Sequence, residues 1–324
     1  MIFAFLKKIF FYLLNYTDKI NSKIFEYKVS KLPYNNGLSL LDLGSSYDIE
    51  PRWKKIKKYL RFYGCEPNNN LIKNFKDKNK DCISCEIFPF IIGRTNQKKT
   101  TLNICKNPGV SSLLKPNFEY LKLYPESDRF GIKKKKKFQS CHIDNLKIKK
   151  IDFLKLDIQG AELDALKGGN KTIKQSLGLE IEVEFQEIYY GQPLYGDINK
   201  YLISKKFYFN DFTYISRHER KDFSGYGQSV FANALYLRNP EFVNKNIKDK
   251  YKIINYILIL LLYNKFDFID CLKLNKYFSA KEMYQIKKTV KFFKRKNKIA
   301  RFISSIATGM TRLLGNEYKS HLFN

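Results

Sequence analysis

Short apolar segments that alternate with helix-like segments are the feature that most restricts the fold of this chain. Between residues 38 and 240, runs with strand character recur at Leu38–Leu43, Phe62–Cys65, Ile83–Ile92, Ile151–Leu156, Leu177–Phe185, Phe207–Phe212 and Val230–Leu237. Segments with apolar residues at helical spacing, such as Ala161–Lys174, lie between them. Strands that alternate with helices form mostly parallel sheets covered on both faces. The sequence therefore predicts a doubly wound α/β domain over residues 38–240.

Two further segments flank this predicted domain. Residues 1–37 are expected to form an N-terminal helical segment, and residues 241–324 a basic helical extension without strands. Lys7 and Lys8 interrupt the apolar N-terminus, so the sequence does not predict a secretory signal. The apolar run Ile253–Tyr263 is shorter than the roughly 20 residues that span a bilayer. We therefore expect a cytoplasmic protein, with peripheral membrane contact of the first helix as an open alternative.

The charge and the cysteines restrict the partners of the protein. The formal net charge is +29, but the lysines are spread along the whole length, which favours a solvated basic surface over a nucleic-acid site. The densest run, Lys133–Lys137, is predicted to be an exposed loop. Cys82 and Cys85 are spaced as C-x-x-C, but no second pair follows, so no metal site is predicted from the cysteines. Six scattered cysteines fit a reducing compartment.

Polar residues at the ends of the first two predicted strands indicate a nucleoside ligand. In an open parallel sheet, ligands bind outside the carboxyl ends of the strands. The first strand carries Asp42 and is followed by Gly44, Ser45 and Ser46, and the second is followed by Glu66 and Pro67. An acidic residue about 20 positions after a glycine turn can bind both ribose hydroxyls. A dinucleotide site needs G-x-G-x-x-G for its pyrophosphate, and that pattern is missing here.

Several separated motifs carry a resemblance to a known family. They are Leu41–Ser46, Gly64–Pro67, Phe153–Leu163, Tyr190–Leu194 and Gly227–Gln228. The most specific is Phe153–Leu163, which is similar to a Lys-Ile-Asp-x-x-Gly-Ala-Glu signature. In these motifs, over residues 38–240, the chain resembles the FkbM-like methyltransferases that depend on S-adenosylmethionine.

The resemblance implies a Rossmann-like class I methyltransferase fold with S-adenosylmethionine as cofactor. It also implies transfer of the methyl group to an oxygen, commonly a hydroxyl of a sugar, a glycan or a related small molecule. Two positions depart from the family pattern, namely Asp48 in place of a usual glycine and Cys65 in place of a usual aromatic residue. These two departures affect how the cofactor is contacted in detail and leave the family class unchanged.

Three residues are candidates for catalysis. Asp157 follows an apolar strand, where it could contact the cofactor and orient or deprotonate the acceptor hydroxyl. The alternative is that Asp157 is the N-cap of the helix that begins near Gly160, because Asp is a favoured N-cap residue. Lys155 precedes Asp157 by two positions and therefore points to the same face of the sheet. His142 is a candidate general base because imidazole titrates near neutrality.

Four residues are candidates for acceptor binding. Glu162 lies in the first turn of a predicted helix, where the helix dipole favours a carboxylate whatever its function. Glu182 and Glu184 share one face of a strand and could bind a polyhydroxylated acceptor or a divalent ion. Gln228 lies in a motif that matches the family, without a chemical role that follows from the sequence.

Other functions stay open at this stage. An RNA methyltransferase would combine the cofactor site with the basic surface, and a module that binds nucleic acid or a membrane surface would use the basic helical extension. An NAD-dependent oxidoreductase is disfavoured by the missing glycines. The sequence leaves the acceptor and the oligomeric state undetermined.

Overall fold

The chain divides into two compact units in a computed structural model that describes residues 17, 19–33, 36–44, 48–93, 96 and 99–313. Residues 38–48 and 61–242 form the first, here called the sheet unit. The described residues of 1–37, 49–60 and 243–324 form the second, here called the helical unit. Compact units and family domains are defined by different criteria, so the domain boundaries 1–37, 38–240 and 241–324 stay a prediction.

A seven-stranded sheet is the centre of the sheet unit. The strands of the chain are β1 (Leu38–Leu43), β2 (Leu60–Cys65), β3 (Ser84–Phe88), β4 (Ile91–Ile92), β5 (Lys99–Cys105), β6 (Ile132–Cys141), β7 (Phe153–Leu156), β8 (Gly178–Glu184), β9 (Tyr208–His218) and β10 (Gln228–Leu237). The large sheet has the order β3-β2-β1-β7-β8-β10-β9, and a small sheet has the order β4-β6-β5. The predicted strand Ile83–Ile92 is divided in two because Pro89 has no N–H to donate to a ladder.

The pairing directions identify the fold. β1 pairs with β7, β7 with β8, and β2 with β3, each in parallel. Strand β10 is antiparallel to both β8 and β9, so it is the reversed strand of an otherwise parallel sheet. The strand order reverses between β1 and β7, which is the switch point where an open α/β sheet binds its ligand. The predicted doubly wound, mostly parallel α/β fold is confirmed.

The helices have the following bounds. They are α1 (residues 19–29), α2 (Pro51–Lys54), α3 (Asn69–Lys78), α4 (Phe118–Leu121), α5 (Glu162–Gly168), α6 (Asn170–Gln175), α7 (Tyr195–Ser204), α8 (Pro240–Asn246), α9 (Lys250–Leu262), α10 (Phe266–Asp270) and α11 (Ala280–Leu313). The predicted helix Ala161–Lys174 is thus two helices. They meet at Gly168 and Gly169, where a Cβ would lie 3.0 Å from side chains of neighbouring residues. Glycine is also a poor helix former, which explains the break.

The two faces of the large sheet have different chemistry, because strand side chains alternate between faces. Leu43, Leu156 and Ile181 lie on one face, in a buried apolar core. On the other face, Lys155 lies in register with Asp42 on β1 and with Glu180 on β8. This second face therefore carries charged side chains into the sheet interior, close to the switch point.

The run Lys133–Lys137 was predicted to be a loop, and this prediction is wrong. It lies within β6, which forms an antiparallel ladder with β5. Leu102 is in register with Lys136, and Ile104 with Lys134. The side chains of the run are exposed as expected, but the backbone pairs with β5, which holds the lysines in an extended conformation.

The helical unit has its own packing. Helix α9 is buried from Ile253 to Leu262, and the side-chain amide of Asn255 donates to the carbonyl of Gly37 at 3.2 Å. Phe25 packs on Phe293 with ring centroids 4.7 Å apart. In the part of the chain that the structure describes, no helix combines the length and the apolar character that a membrane span needs.

Candidate active site

A cavity of about 890 Å³ opens at the switch point of the sheet unit. Gly44, which follows β1, and Asp157, which follows β7, line it together with Glu66 and Pro67 at the end of β2. The residues at the ends of three neighbouring strands therefore line the same cavity. This is the place where a doubly wound sheet binds its ligand.

Gly44 is required by the close approach of two strand ends. Its φ is +124°, and a Cβ on this residue would lie 2.0 Å from the carbonyl oxygen of Asp157. The backbone N–H of Asp157 donates to the carbonyl of Leu43 at 2.8 Å, so the two chains are held in contact beyond the strands. Only a residue without a side chain fits here, and the backbone of Gly44 is consequently open to the cavity.

The turn after β2 forms a second wall of the cavity. The backbone N–H of Glu66 donates to the carbonyl of Phe88, and its carboxylate accepts from the backbone N–H of Asn68 at 2.8 Å. The Asn68 side chain in turn accepts from Asn70 N–H and caps helix α3. Glu66 is thereby held at the edge of the cavity, 22 positions after Gly44 in the sequence.

Asp157 belongs to a hydrogen-bonded network centred on Gln159. The Gln159 amide nitrogen donates to Asp157 Oδ1 and to Glu182 Oε2, at 2.9 Å each. The Tyr189 hydroxyl lies 2.9 Å from Gln159 Oε1, and Lys155 Nζ lies 3.9 Å from Asp157 Oδ2. One carboxylate oxygen of Asp157 therefore faces the Gln159 amide and the other faces the Lys155 ammonium.

Gln159 has an unusual backbone conformation that other contacts hold in place. Its φ is +57°, in the left-handed region that side-chain-bearing residues rarely adopt. The Ser112 hydroxyl donates to the Gln159 carbonyl at 2.6 Å, and Gly160 continues the turn with φ +96°. The left-handed turn brings the Gln159 amide between the two carboxylates that it contacts.

Three buried glutamates lie together behind this network. Carboxylate oxygens of Glu162, Glu182 and Glu184 all lie within 4.8 Å of one another. We call these three residues the acidic cluster. Glu162 begins α5 and accepts from the backbone N–H of Ile158 at 2.7 Å, whereas Glu182 and Glu184 lie two positions apart on β8 and share one face.

Burial determines the electrostatics of the acidic cluster. It raises the pKa of Glu162 to about 7, against the opposing effect of the Ile158 hydrogen bond. Burial, followed by the charges of Asp157 and Glu184, raises the pKa of Glu182 well above its ordinary value. Burial and the charges of Glu162 and Asp157 do the same for Glu184. The cluster therefore favours protons or another cation at neutral pH.

The small sheet supplies the remaining wall of the cavity. Leu102 and Ile104 of β5 line the cavity, as do Lys134, Lys136 and Phe138 of β6. The three β6 residues are two positions apart and therefore share one face. This wall combines apolar surface with two ammonium groups.

The family assignment follows from the sequence. The family model described as "Methyltransferase FkbM domain" matches residues 46–215, which is just over half of the chain. The chain belongs to the FkbM methyltransferase family. The resemblance predicted from the motifs is thus confirmed, and membership favours the methyltransferase interpretation over the oxidoreductase one.

Some solved structures are partly similar to the chain. The FkbM methyltransferase of Methylobacillus flagellatus KT shows 17% identity and a TM-score of 0.37, with coverage of 63% of this chain and 48% of that one. Magnesium protoporphyrin IX methyltransferase of Synechocystis PCC 6803, with bound SAM, shows 10% identity and a TM-score of 0.34, with coverage of 69% and 80%. The N-methyltransferase NodS of Bradyrhizobium japonicum WM9 shows 5% identity and a TM-score of 0.32, with coverage of 67% and 96%. The chain spans about half the length of the FkbM structure that it matches. The comparison with curated proteins finds no match.

The large sheet brings most of the predicted site residues to one of its edges. Gly44, Glu66, Pro67 and Asp157 line the cavity. Lys155 contacts Asp157, and Glu162, Glu182 and Glu184 form the acidic cluster beside it. Ser45 and Ser46, also predicted to contact the cofactor, lie outside the described residues.

Three predicted site residues lie elsewhere. Asp42 is buried within β1 and does not line the cavity. His142 packs against Gly168 and is likewise absent from the cavity lining. The Gln228 side chain accepts from the Tyr124 hydroxyl at 2.7 Å, at the start of β10. The geometry gives none of these three a contact with the cavity, and their functional roles stay predictions.

The alternative role for Asp157, that of a helix N-cap, is wrong. The N-cap of α5 is Ala161, which makes no side-chain cap, and the Asp157 carboxylate instead contacts Gln159 and Lys155. Gln159 and Gly160, both with positive φ, separate Asp157 from the helix. Its side chain is consequently available to the cavity.

Four residues of the site were not predicted from the sequence, namely Gln159, Tyr189, Lys134 and Lys136. Gln159 stands in the Asp-x-x-Gly motif, and its position between Asp157 and Gly160 was the available signal. Tyr189 comes from a distant segment, and no local pattern marks it. The lysines were predicted to lie in a loop because their run stands between a stretch that contains Pro and Gly and a predicted strand. A run of like charges hides the two-residue alternation of a strand.

Proposed function

We propose that this protein is an S-adenosylmethionine-dependent O-methyltransferase whose acceptor is a hydroxyl of a sugar, a glycan or a related small molecule. The single observation that carries the proposal is the shared cavity, in which Gly44, Glu66 and Asp157 meet at the switch point of an FkbM domain. The six cysteines, all of them free thiols, support a cytoplasmic location.

The first and second strand ends fit the cofactor. The Glu66 carboxylate at the end of β2 would accept hydrogen bonds from the ribose hydroxyls, and the open backbone at Gly44 would allow the methionine part of the cofactor to approach. S-adenosylmethionine carries no phosphate, so it does not require the helix N-terminus and the glycines of a dinucleotide site.

Asp157 supports the transfer step. The sulfonium methyl group is already electrophilic, so the enzyme has to align the acceptor oxygen with it and remove the hydroxyl proton. The Asp157 carboxylate lies at the cavity surface, and Lys155 and Gln159 fix its orientation. In this proposal Asp157 accepts the hydrogen bond or the proton of the acceptor hydroxyl.

The lysines of β6 favour an acceptor that carries an anionic group. Lys134 and Lys136 both line the cavity and face it from the same side of the strand. Two ammonium groups would bind a carboxylate or a phosphate of the acceptor. The proposed substrate class is therefore a hydroxylated small molecule or glycan precursor with a negative charge.

Calorimetric titration with S-adenosylhomocysteine tests the cofactor site. We expect saturable binding to the wild type and about 10-fold or greater weakening in Glu66→Gln, because a charged hydrogen bond contributes about 1.5–3 kcal/mol. Glu86→Gln, an exposed carboxylate on the neighbouring strand β3, is the matched control and should bind as the wild type does. Absence of binding to the wild type, or equal affinity of wild type and Glu66→Gln, would refute the cofactor site.

Asp157→Asn tests the transfer step in the same preparation. It should bind S-adenosylhomocysteine within about threefold of the wild type but lose about 100-fold in methyl transfer, the low end of what general base catalysis contributes. Transfer from tritiated S-adenosylmethionine to neutral and phosphorylated hexoses measures it. Full turnover in Asp157→Asn would exclude the role of Asp157, and equal rates with neutral and phosphorylated acceptors would exclude the role of the lysines.

A further inference from the structure

The acidic cluster has no use in the methyl transfer proposed above, yet its geometry is that of a cation site. Its three carboxylates come from two elements, the start of α5 and one face of β8, and converge within 4.8 Å. Glu162 is fully buried, and Glu182 and Glu184 are at most 7% exposed. Side chains of like charge are not expected to converge in the interior unless something binds them together.

Two oxygen atoms in the cluster lack the partners that buried carboxylates need. Oε2 of Glu162 and Oε2 of Glu184 are inaccessible to solvent and accept no hydrogen bond. Among the described residues, none of the three carboxylates forms an ion pair with a lysine, an arginine or a histidine. Buried oxygens of this kind are usually satisfied, so each unsatisfied one needs an explanation such as an ion.

The alternatives for such a cluster are protonation and cation binding. Glu182 accepts a hydrogen bond from the Gln159 amide, but Oε2 of Glu162 and Oε2 of Glu184 accept none. A divalent cation would satisfy both oxygens and neutralise most of the charge at once. Carboxylate oxygens without nitrogen or sulfur ligands suit Mg²⁺, Mn²⁺ or Ca²⁺.

We propose that Glu162, Glu182 and Glu184 bind a divalent cation of the Mg²⁺, Mn²⁺ or Ca²⁺ class through their carboxylate oxygens. The site lies beside the cavity, because Gln159 lines the cavity and also contacts Glu182. By holding Glu182, the cation fixes the Gln159 turn and, through the Gln159 amide, the Asp157 carboxylate. Its binding needs neither cofactor nor acceptor, so it is measured independently of the proposed methyl transfer.

Manganese binding to the chelator-treated protein tests the site. Mn²⁺ titration, followed by the loss of the free-ion electron paramagnetic resonance signal, should show one saturable site in the wild type. Glu184→Gln should weaken that site at least 10-fold. Glu180→Gln is the matched control, because Glu180 is buried on the same face of β8 but already accepts from the Thr213 hydroxyl at 3.0 Å. It should bind Mn²⁺ within about twofold of the wild type.

Thermal unfolding provides a second measurement, which does not depend on the Mn²⁺ signal. A ligand that binds only the folded state raises its stability as the ligand concentration exceeds Kd. Millimolar Mn²⁺ or Mg²⁺ should therefore raise the Tm of the wild type and of Glu180→Gln, but not that of Glu184→Gln. The site is refuted if the wild type neither binds Mn²⁺ nor gains stability, or if Glu184→Gln and Glu180→Gln respond alike. Loss of S-adenosylhomocysteine binding with Mn²⁺ binding intact would instead contradict the proposed function alone.

Discussion

The protonation of Glu162 should make the stability of the protein fall as the pH rises from 5 to 8. Burial raises the pKa of this carboxyl from 4.5 to about 7 in the folded state. Between these two values the folded protein holds a proton that the unfolded chain has released, so stability decreases with increasing pH. A difference of this size corresponds to about 3 kcal/mol at 1.36 kcal/mol per pKa unit.

The neighbours of Glu162 also make the stability decrease as the pH rises. Glu182 and Glu184 also have raised pKa values, and the charge of Asp157 raises the pKa of all three glutamates. Lys155 faces Asp157 and reduces the negative charge of the network as a whole. The loss attributed to Glu162 is therefore a part of the total loss between pH 5 and pH 8.

Glu162→Gln isolates the contribution of this carboxyl. Glutamine keeps an oxygen that can accept from the Ile158 N–H, but it cannot ionise. We expect the variant to match the wild type within about 1 kcal/mol at pH 5 and to be about 3 kcal/mol more stable at pH 8. Asp164→Asn, in the first turn of the same helix, controls for the effect of the helix dipole.

Urea denaturation at pH 5, 6, 7 and 8 in the presence of EDTA measures these differences, because the chelator removes any cation from the acidic cluster. A rise in wild-type stability over this range would refute the raised pKa of Glu162. A Glu162→Gln variant less stable than the wild type at pH 8 would refute it equally.

Two further variants test the packing around the site. Gly44→Ala should lower the free energy of unfolding by about 3 kcal/mol or more, because its Cβ would lie 2.0 Å from the Asp157 carbonyl oxygen at a φ of +124°. Gly191 is the control: it has a φ of +73° but open space around it, so Gly191→Ala should lower the free energy of unfolding by only about 1 kcal/mol. Arg238→Lys should lose about 2–4 kcal/mol, because the buried guanidinium donates to four backbone carbonyls and stacks 3.7 Å from the Phe207 ring centroid. Urea denaturation measures both, and a wild-type midpoint for Gly44→Ala or Arg238→Lys would contradict the corresponding contact.

The strand ends of the site could be predicted from the sequence because they obey a general rule. Parallel strands on either side of a switch point place their carboxyl ends together, so Gly44, Glu66 and Asp157 had to share one edge of the sheet. Their separation in the sequence is irrelevant once the strand order is known. His142 and Gln228, which this rule does not reach, lie away from the cavity, and so does Asp42, which lies within β1 rather than at its end.

The rest of the site depends on contacts that no local pattern encodes. The two-residue spacing of Glu182 and Glu184 shows that they share a face, but their meeting with Glu162 depends on how α5 packs at the end of β7. Lys134 and Lys136 could be placed in the cavity wall only after β6 was known to pair with β5. Pairing between segments about 30 residues apart is a tertiary property.

Gln159 connects the predicted and the unpredicted parts of the site. An amide is suited to this position because its nitrogen donates to Asp157 and Glu182 while its oxygen remains available to the Tyr189 hydroxyl. A carboxylate there would offer no donor and would add a further negative charge beside four acidic side chains. The left-handed backbone of Gln159 is the cost of that placement, and the Ser112 hydroxyl stabilises it. The strained turn is therefore best explained as the element that couples the proposed proton acceptor, Asp157, to the acidic cluster.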